Sequence, residues 1–277
     1  MTIIDTNRNV AAHLAHLKAR GVTTIGRYYA TSAAKRLTKP EAAAICAAGL
    51  DIFVVFEDSG DPQLSVEQGV HDAQIALGQA QAVGQPAGSA IYFALEHEKQ
   101  GGFTQAHVPG IKRYMDGVRQ VLAPTYKIGV YGDGVVCKAL LDAQMVDFTW
   151  LSASRKHPGT PEFTASGRAT LIQRTPVDQN IDGLSVDFNE AKQPEFGAFT
   201  IPAAQPAPAP EALASMAAPG GGGTTHRGGV RGGSGRCGGS TADGPSRRLD
   251  LPRTAAARGA AARQGLQAHG RHLPGLS

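Results

Sequence analysis

Cysteine is scarce in this chain. Cys46, Cys137 and Cys237 are odd in number and far apart, with no C-x-x-C pair. Nothing in them demands a disulfide framework, a zinc site or an oxidising compartment. Cys46 and Cys137 fall in helical patterns and read as small core residues. No apolar run is long enough to cross a membrane as a helix. No leader is expected, because Met1 is followed at once by the strand-forming Thr2-Ile3-Ile4-Asp5. Nucleotide signatures are missing as well. There is no Walker sequence, and Gly129-x-x-Gly132-x-Gly134 lacks the Rossmann spacing and reads as turn glycine. No Gly-x-Ser-x-Gly elbow marks a serine hydrolase. No cofactor is implied.

Aromatic residues and lysine are absent from one end of the chain. All nine Phe, the six Tyr and the single Trp lie between Tyr28 and Phe199. Beyond residue 200 there are nine Arg against Glu211, Asp243 and Asp250, a surplus of six positives in a chain whose total is +4. The first 200 residues are therefore mildly acidic, at −2, which argues against a nucleic-acid-binding body. Two regions are expected: a domain over 1–200, large enough for one core, and a tail over 201–277. Pro202 to Pro210 reads as an extended Pro/Ala linker. The Gly/Arg/Ser-rich stretch after it has little to bury and is expected to be disordered, with a helical hint only over Ala255–Gln267. It is either a basic arm attracted to an anionic polymer or nucleic acid, or, as the preferred reading, a frame-shifted or otherwise unselected extension. A monomer is expected.

Within the first 200 residues strand and helix patterns alternate. Thr2–Asp5, Val22–Tyr29, Ile52–Phe56, Ser89–Glu96 and Lys127–Tyr131 read as strands. Helical stripes follow each: Asn9–Arg20, Lys39–Ala48, a helix capped by Ser65 and Gln68, Gln105–Leu122 and Val135–Ala143. Then the alternation stops. Phe148–Ser152, Leu171–Gln173 and Leu184–Phe188 are three more strands, Ser154–Gly167 lacks a helical stripe, and Asp178–Gly183 reads as a polar turn. Five βα units and three further strands predict an α/β TIM-type barrel with a parallel sheet.

Such a barrel carries its site at the carboxyl ends of the strands. Those ends hold Asp5, Arg27 with Tyr29, Glu57 with Asp58, Glu96 with Glu98, Tyr131, Trp150, Gln173 and Asp187. Glu96 and Glu98 are one residue apart on one strand face, so each disfavours the other's ionisation. A proton donor beside a charged neighbour is what glycoside cleavage requires. The plain alternative is a strand running into a solvated acidic loop. Strands one and eight are neighbours in a closed barrel, so Asp5 and Asp187 should meet. Tyr131 and Trp150 would form an apolar wall, a lining suited to a sugar's hydroxyls and flat C–H faces. Arg27, Tyr29, Glu57 and Gln173 complete the expected substrate contacts. His97 and His107 could hold a metal with Glu98, but hydrogen bonding to the acids is the preferred reading, and no metal is expected.

Ile3-Ile4-Asp5, Ile25-Gly26-Arg27-Tyr28-Tyr29, Ile91-Tyr92-Phe93-Ala94, Ile128-Gly129-Val130-Tyr131-Gly132 and Trp150-Leu151-Ser152 resemble the glycoside-hydrolase-like barrel domain of unknown function found in bacterial and phage proteins. That family is similar to the family-25 lysozymes, which cut the N-acetylmuramic acid to N-acetylglucosamine bond of peptidoglycan. The lysozymes' Asp-x-Glu falls on Glu96-His97-Glu98, and their Gly-x-x-Val-Asp-x-Asn falls on Gly183 to Asn189. The resemblance implies Glu98 as general acid, Glu96 as its orienting or stabilising partner, and Asp5 and Asp187 lining the subsite where charge develops. It implies peptidoglycan or another polysaccharide as partner and action at the cell envelope or outside the cell. Glu96 departs from the lysozymes' Asp. The extra methylene moves the carboxylate by more than about an ångström, enough to cost orders of magnitude in rate. An inactive glycan-binding or envelope-associated barrel is therefore the alternative.

Overall fold

A computed structural model describes residues 1–58, 62–97 and 100–201. The elements in order are β1 (Thr2–Asp5), α1 (Leu14–Ala19), β2 (Val22–Tyr29), α2 (Lys39–Ala47), β3 (Asp51–Phe56), α3 (Val66–Val83), β4 (Ala90–Leu95), α4 (Val108–Leu122), β5 (Lys127–Gly132), α5 (Gly134–Asp142), β6 (Phe148–Leu151), α6 (Thr160–Ala165), β7 (Leu171–Gln173), β8 (Gln179–Ile181) and β9 (Leu184–Ala191). Strands β1 to β7 pair in parallel, each with the next. β9 closes the ring between β7 and β1. The result is the expected closed α/β barrel of eight strands with helices outside. The expected linker and tail, with Ala255–Gln267 and Cys237, lie outside the described residues.

Local sequence explains the element ends. The Ser65 hydroxyl accepts from the Gln68 N–H at 3.2 Å and starts α3, and Gly84 ends it at φ 88°, a left-handed conformation that favours glycine. The Asp133 carboxylate caps α5 through the Val136 N–H at 3.0 Å. The first helix is shorter than its apolar spacing suggested, covering Leu14–Ala19 of the expected Asn9–Arg20.

Three features after β5 differ from expectation. Thr160–Ala165 forms the short α6 inside a stretch without a stripe. The polar turn over 178–183 includes β8, which pairs with β9 as a hairpin. The closing strand also runs antiparallel to both neighbours, correcting the all-parallel expectation. The cause is the hairpin loop. Asp182 and Gly183 have φ of 50° and 87°, the conformation of a two-residue turn favoured by Asp-Gly. A parallel return would need a crossover of a dozen or more residues, and the link from β7 is too short to hold one.

The barrel interior is filled rather than hollow. Phe53, Tyr92 and Trp150 meet edge to face, with centroids 5.1 Å apart for Phe53–Trp150 and 6.1 Å for Tyr92–Trp150. The chain after β9 closes the amino-terminal end. Phe196 packs on Phe53, and the Tyr92 hydroxyl donates to the Phe196 carbonyl at 2.8 Å.

Outside the barrel, α3 and α4 touch backbone to backbone. A Cβ on Gly69 would run into the Tyr114 carbonyl, and one on Gly117 into the Val66 carbonyl. Two effects oppose each other for Gly69→Ala. Helix propensity favours alanine by about 1 kcal/mol, while forced separation of packed helices costs about 1–3 kcal/mol. Because the obstacle is backbone, the clash should win, and urea denaturation should show net destabilisation. A more stable variant would mean that the helices separate at little cost.

Candidate functional site

Strand alternation decides which side chains reach the barrel mouth. Asp5 lies opposite Gly26 in the β1–β2 register, so Gly26 and Tyr28 face inward. The same parity on β4 carries Ala90, Tyr92 and Ala94 inward, and Glu96 follows on that face. On the closing strand Asp187 pairs directly with Asp5, and Asn189 with Ile3. The expected meeting of Asp5 and Asp187 therefore rests on an antiparallel register.

A hydrogen-bonded network floors the mouth. The Trp150 indole N–H donates to Asn189 Oδ1 at 2.8 Å, and Asn189 Nδ2 donates to Asp5 Oδ2 at 2.8 Å. An indole N–H can only donate, so it fixes the Asn189 amide with its nitrogen toward Asp5. The Tyr28 hydroxyl donates to Asp5 Oδ1 at 3.1 Å. Gln173 is fixed by the same logic. Its Oε1 accepts from the Tyr131 hydroxyl at 2.9 Å and the Ala153 N–H at 3.3 Å, leaving Nε2 to donate to Asp187 Oδ2 at 3.1 Å. The Asp178 N–H donates to the other Asp187 oxygen at 2.6 Å.

The two aspartates differ in exposure and charge. Asp5 is 1 % exposed, and burial pushes its pKa up to about 7; the nearby Asp187 charge adds to this, while bonds from Asn189 and Tyr28 oppose it. Asp187 is half-buried, and desolvation raises its pKa against the Asp178 N–H bond. Tyr28 is pushed well up, by burial first and then by the charges of Asp5, Glu57 and Asp187. Tyr131 is raised by burial, then by Glu96, Tyr28, Asp5 and Glu57. Asp5 and Glu57 therefore act on both tyrosines, Asp187 on Tyr28 and Glu96 on Tyr131. Glu57 is ion-paired to Lys35 at 2.8 Å, and Lys35 also sits 5.8 Å from the centre of the Tyr28 ring.

Three expected substrate contacts lie elsewhere. Arg27 is 0 % exposed and points outward to α2. Its Nε donates to Glu41 Oε1 at 2.7 Å, Nη2 donates to Glu41 Oε2 at 3.2 Å, and Nη1 donates to the Thr6 carbonyl at 2.6 Å. Tyr29 shares that outward parity, and its hydroxyl donates to Gln85 Oε1 at 2.8 Å. The physical reason is the period of two: with Tyr28 inward, residues 27 and 29 must face the helices. Trp150 is 0 % exposed in the barrel core, so it anchors Asn189 from below instead of forming an open wall. Tyr131 lies against it at 4.5 Å between centroids, with its hydroxyl in the network. Glu57, Glu96, Gln173 and Tyr131 are at the mouth. Glu98 lies outside the described residues.

Tyr28, Lys35 and Asn189 are mouth residues that the reading of strand ends passed over. Alternation from Asp5 could have selected Tyr28. Asn189 stands two residues after Asp187, hence on the same face. Lys35 comes from the loop after β2 and carries no local signal. Among the described residues, no group of three or more His, Cys, Asp or Glu could hold a metal ion. The His97 and His107 rings are 5.5 Å apart, His97 stacks on Phe103 at 5.0 Å, and the Thr104 N–H donates to His107 Nδ1 at 3.0 Å.

Comparison with known proteins follows the same lines. An uncharacterised Bacillus subtilis protein, YbfG, is 30% identical over 163 residues, covering 53% of this chain and 22% of its own length. The chain thus spans about a fifth of the curated relatives it matches. Among solved structures, the Tat-secreted protein Rv2525c of Mycobacterium tuberculosis, crystallised with L-tartrate, superposes with a TM-score of 0.62 at 20% identity, covering 71% of this chain and 98% of that one. An uncharacterised B. stearothermophilus protein gives a TM-score of 0.53 at 18% identity, covering 69% of this chain and 95% of that one. These likenesses speak for the fold alone. The family model described as Rv2525c-like, glycoside hydrolase-like domain matches residues 15–190, most of the barrel, and this chain belongs to that family.

Proposed function

We propose that the barrel mouth binds peptidoglycan or a related cell-wall glycan and hydrolyses a glycosidic bond in it by acid catalysis. The observation that carries this reading is the gathering of acids at one end of the barrel. Asp5 pairs with Asp187 across the closing strands, Tyr28 bonds Asp5, Gln173 links Tyr131 to Asp187, and Glu57 and Glu96 lie close enough to act on Tyr28 and Tyr131 respectively. Glycoside cleavage needs a protonated carboxyl at the leaving oxygen and an anionic one near the developing positive charge. Glu98 takes the first role on the pattern of paired carboxylates and on the likeness to the lysozyme motif. Glu96 orients it. Asp187, half-buried and held by two N–H donors, is suited to face the sugar as an anion. Asp5 lies deeper, beneath Tyr28, and sets the charge below the subsite without reaching into it. The site of action is then the cell envelope.

Purified cell walls treated with the intact protein test the reading. Wild type should lower turbidity and release reducing ends, and Glu98→Gln should still bind walls without cutting them. Equal clearing by both would remove Glu98 from the mechanism. Binding by wild type without new reducing ends would favour the alternative, an inactive glycan-binding module. Glu96 in place of the lysozymes' aspartate motivates that alternative.

A further inference from the structure

We infer that a cavity on the outer face of the barrel, beside α6, is a subsite for carboxylates of an acidic peptide attached to the glycan, which deepens the glycan reading of the mouth and rests on it. The cavity has a volume of about 570 Å³, within the range that holds a small ligand. It exists because the chain passes from β7 into the β8–β9 hairpin without a covering helix. Ile172 and Glu190 form one cross-strand pair on that uncovered face.

Its charge selects the ligand. Arg155, Arg174 and Lys192 line it against a single carboxylate, Glu190, already paired to Lys192 at 2.6 Å. Among the described residues neither Arg155 nor Arg174 makes an ion pair with a carboxylate at hydrogen-bond range, although the Arg174 charge also acts on Glu190. Two guanidinium forks match carboxylates in geometry as well as charge. Ser152 also lines the cavity. It is 3 % exposed, and its hydroxyl has no hydrogen-bond partner among the described residues. That oxygen is closed off from solvent, so the cations, not Ser152, carry the recognition.

Continuity with the mouth ties the ligand to the glycan. Ala153 and Gln173 line the cavity and also belong to the network that orients Asp187. A polymer seated at the mouth would therefore present its side branch to this groove. Peptidoglycan has such branches, since its muramic acid carries peptides with free carboxylates.

The test is calorimetric titration of the intact protein with three probes. They are the muramic acid disaccharide bearing its peptide, the same molecule with the peptide carboxylates amidated, and the disaccharide without peptide. The acidic form should bind about tenfold tighter than the amidated one, the scale of a charge-assisted hydrogen bond. Replacing both arginines, Arg155→Gln with Arg174→Gln, should abolish that difference and leave the affinity for the peptide-free disaccharide unchanged. Equal affinity for acidic and amidated forms, or a difference that survives both substitutions, would overturn the subsite while leaving the mouth reading intact. Should no disaccharide bind, the mouth reading fails, and titration with a free acidic peptide then decides the subsite: binding lost in the double variant sustains it, and no binding ends it. A dimer that the same substitutions dissociate would assign the groove to a second copy and overturn the proposal.

Discussion

Arg27→Ala should cost about 3–5 kcal/mol of stability, the range for breaking a buried ion pair from one side. Both partners are out of water: the side chains of Arg27 and Glu41 are 0% and 1% exposed. The loss is not the Coulomb energy of the pair, because much of that attraction is offset by the desolvation of both ions. It is the energy of leaving Glu41 charged, buried and short of donors. The Val10 N–H, at 3.0 Å from Glu41 Oε1, would remain as its support. The Thr6 carbonyl would also lose its Nη1 donor. For a domain of this size each kcal/mol moves Tm by roughly 2–4 °C, so a fall of roughly 10 °C is expected in thermal unfolding. Removing both charges together, as Arg27→Met with Glu41→Leu, should recover much of the loss, because no uncompensated ion remains. A single variant as stable as wild type would show that water reaches Glu41.

Asp5→Asn should remove a pH dependence of stability and stabilise the protein above neutrality. The Asp5 pKa is raised in the fold, from 3.8 to about 7. A group raised in this way contributes stability that is fully present below the unfolded value near pH 4. That contribution is lost as pH climbs through the folded value near 7. About three pKa units correspond to roughly 4 kcal/mol as an upper figure. Asp72, Asp133 and Asp187 are raised too and act in the same direction, so the comparison must be between variant and wild type at each pH. Asparagine preserves the contacts. Its oxygen can accept from Asn189, and its amide can donate to the Tyr28 hydroxyl, which accepts as readily as it donates. Chemical denaturation across pH 4 to 8 should show the two proteins nearly equal in acid, with the variant ahead by a few kcal/mol at the alkaline end. Parallel curves would place the titration on another group. The substitution bears on function as well. With Asp5 neutral at every pH, any change of wall binding near pH 7 that is due to Asp5 should vanish.

Much of the architecture was legible in the residues because it is a local property. Apolar runs such as Ile52–Phe56 and Ile91–Leu95, short and closed by acids, suit strands buried on both faces, and a stripe such as Val66–Ala80 suits a helix that buries one side. Their order, with acids closing several strands, was enough to bring Asp5 and Asp187 together and to put Glu57 and Glu96 at the same end. A strand buried on both faces does not reveal which parity is inward. Arg27 and Tyr29 were therefore expected at the mouth that Tyr28 occupies. Trp150 was expected in an open wall for the same reason, since a buried aromatic and a sugar platform look alike in a sequence.

The sequence alone determined the alternation of elements, the closed barrel and the set of acids at its strand ends, because hydrophobic period and chain connectivity are written in neighbouring residues. Only the tertiary structure decided which of those residues face the mouth, that Arg27 belongs to Glu41 on α2, and that the last strand returns antiparallel through Asp182-Gly183. It also decided that burial pushes the Asp5 pKa up to about 7. Each of these depends on what burial removes from water and on which distant group stands opposite, quantities that exist only once the chain has closed on itself.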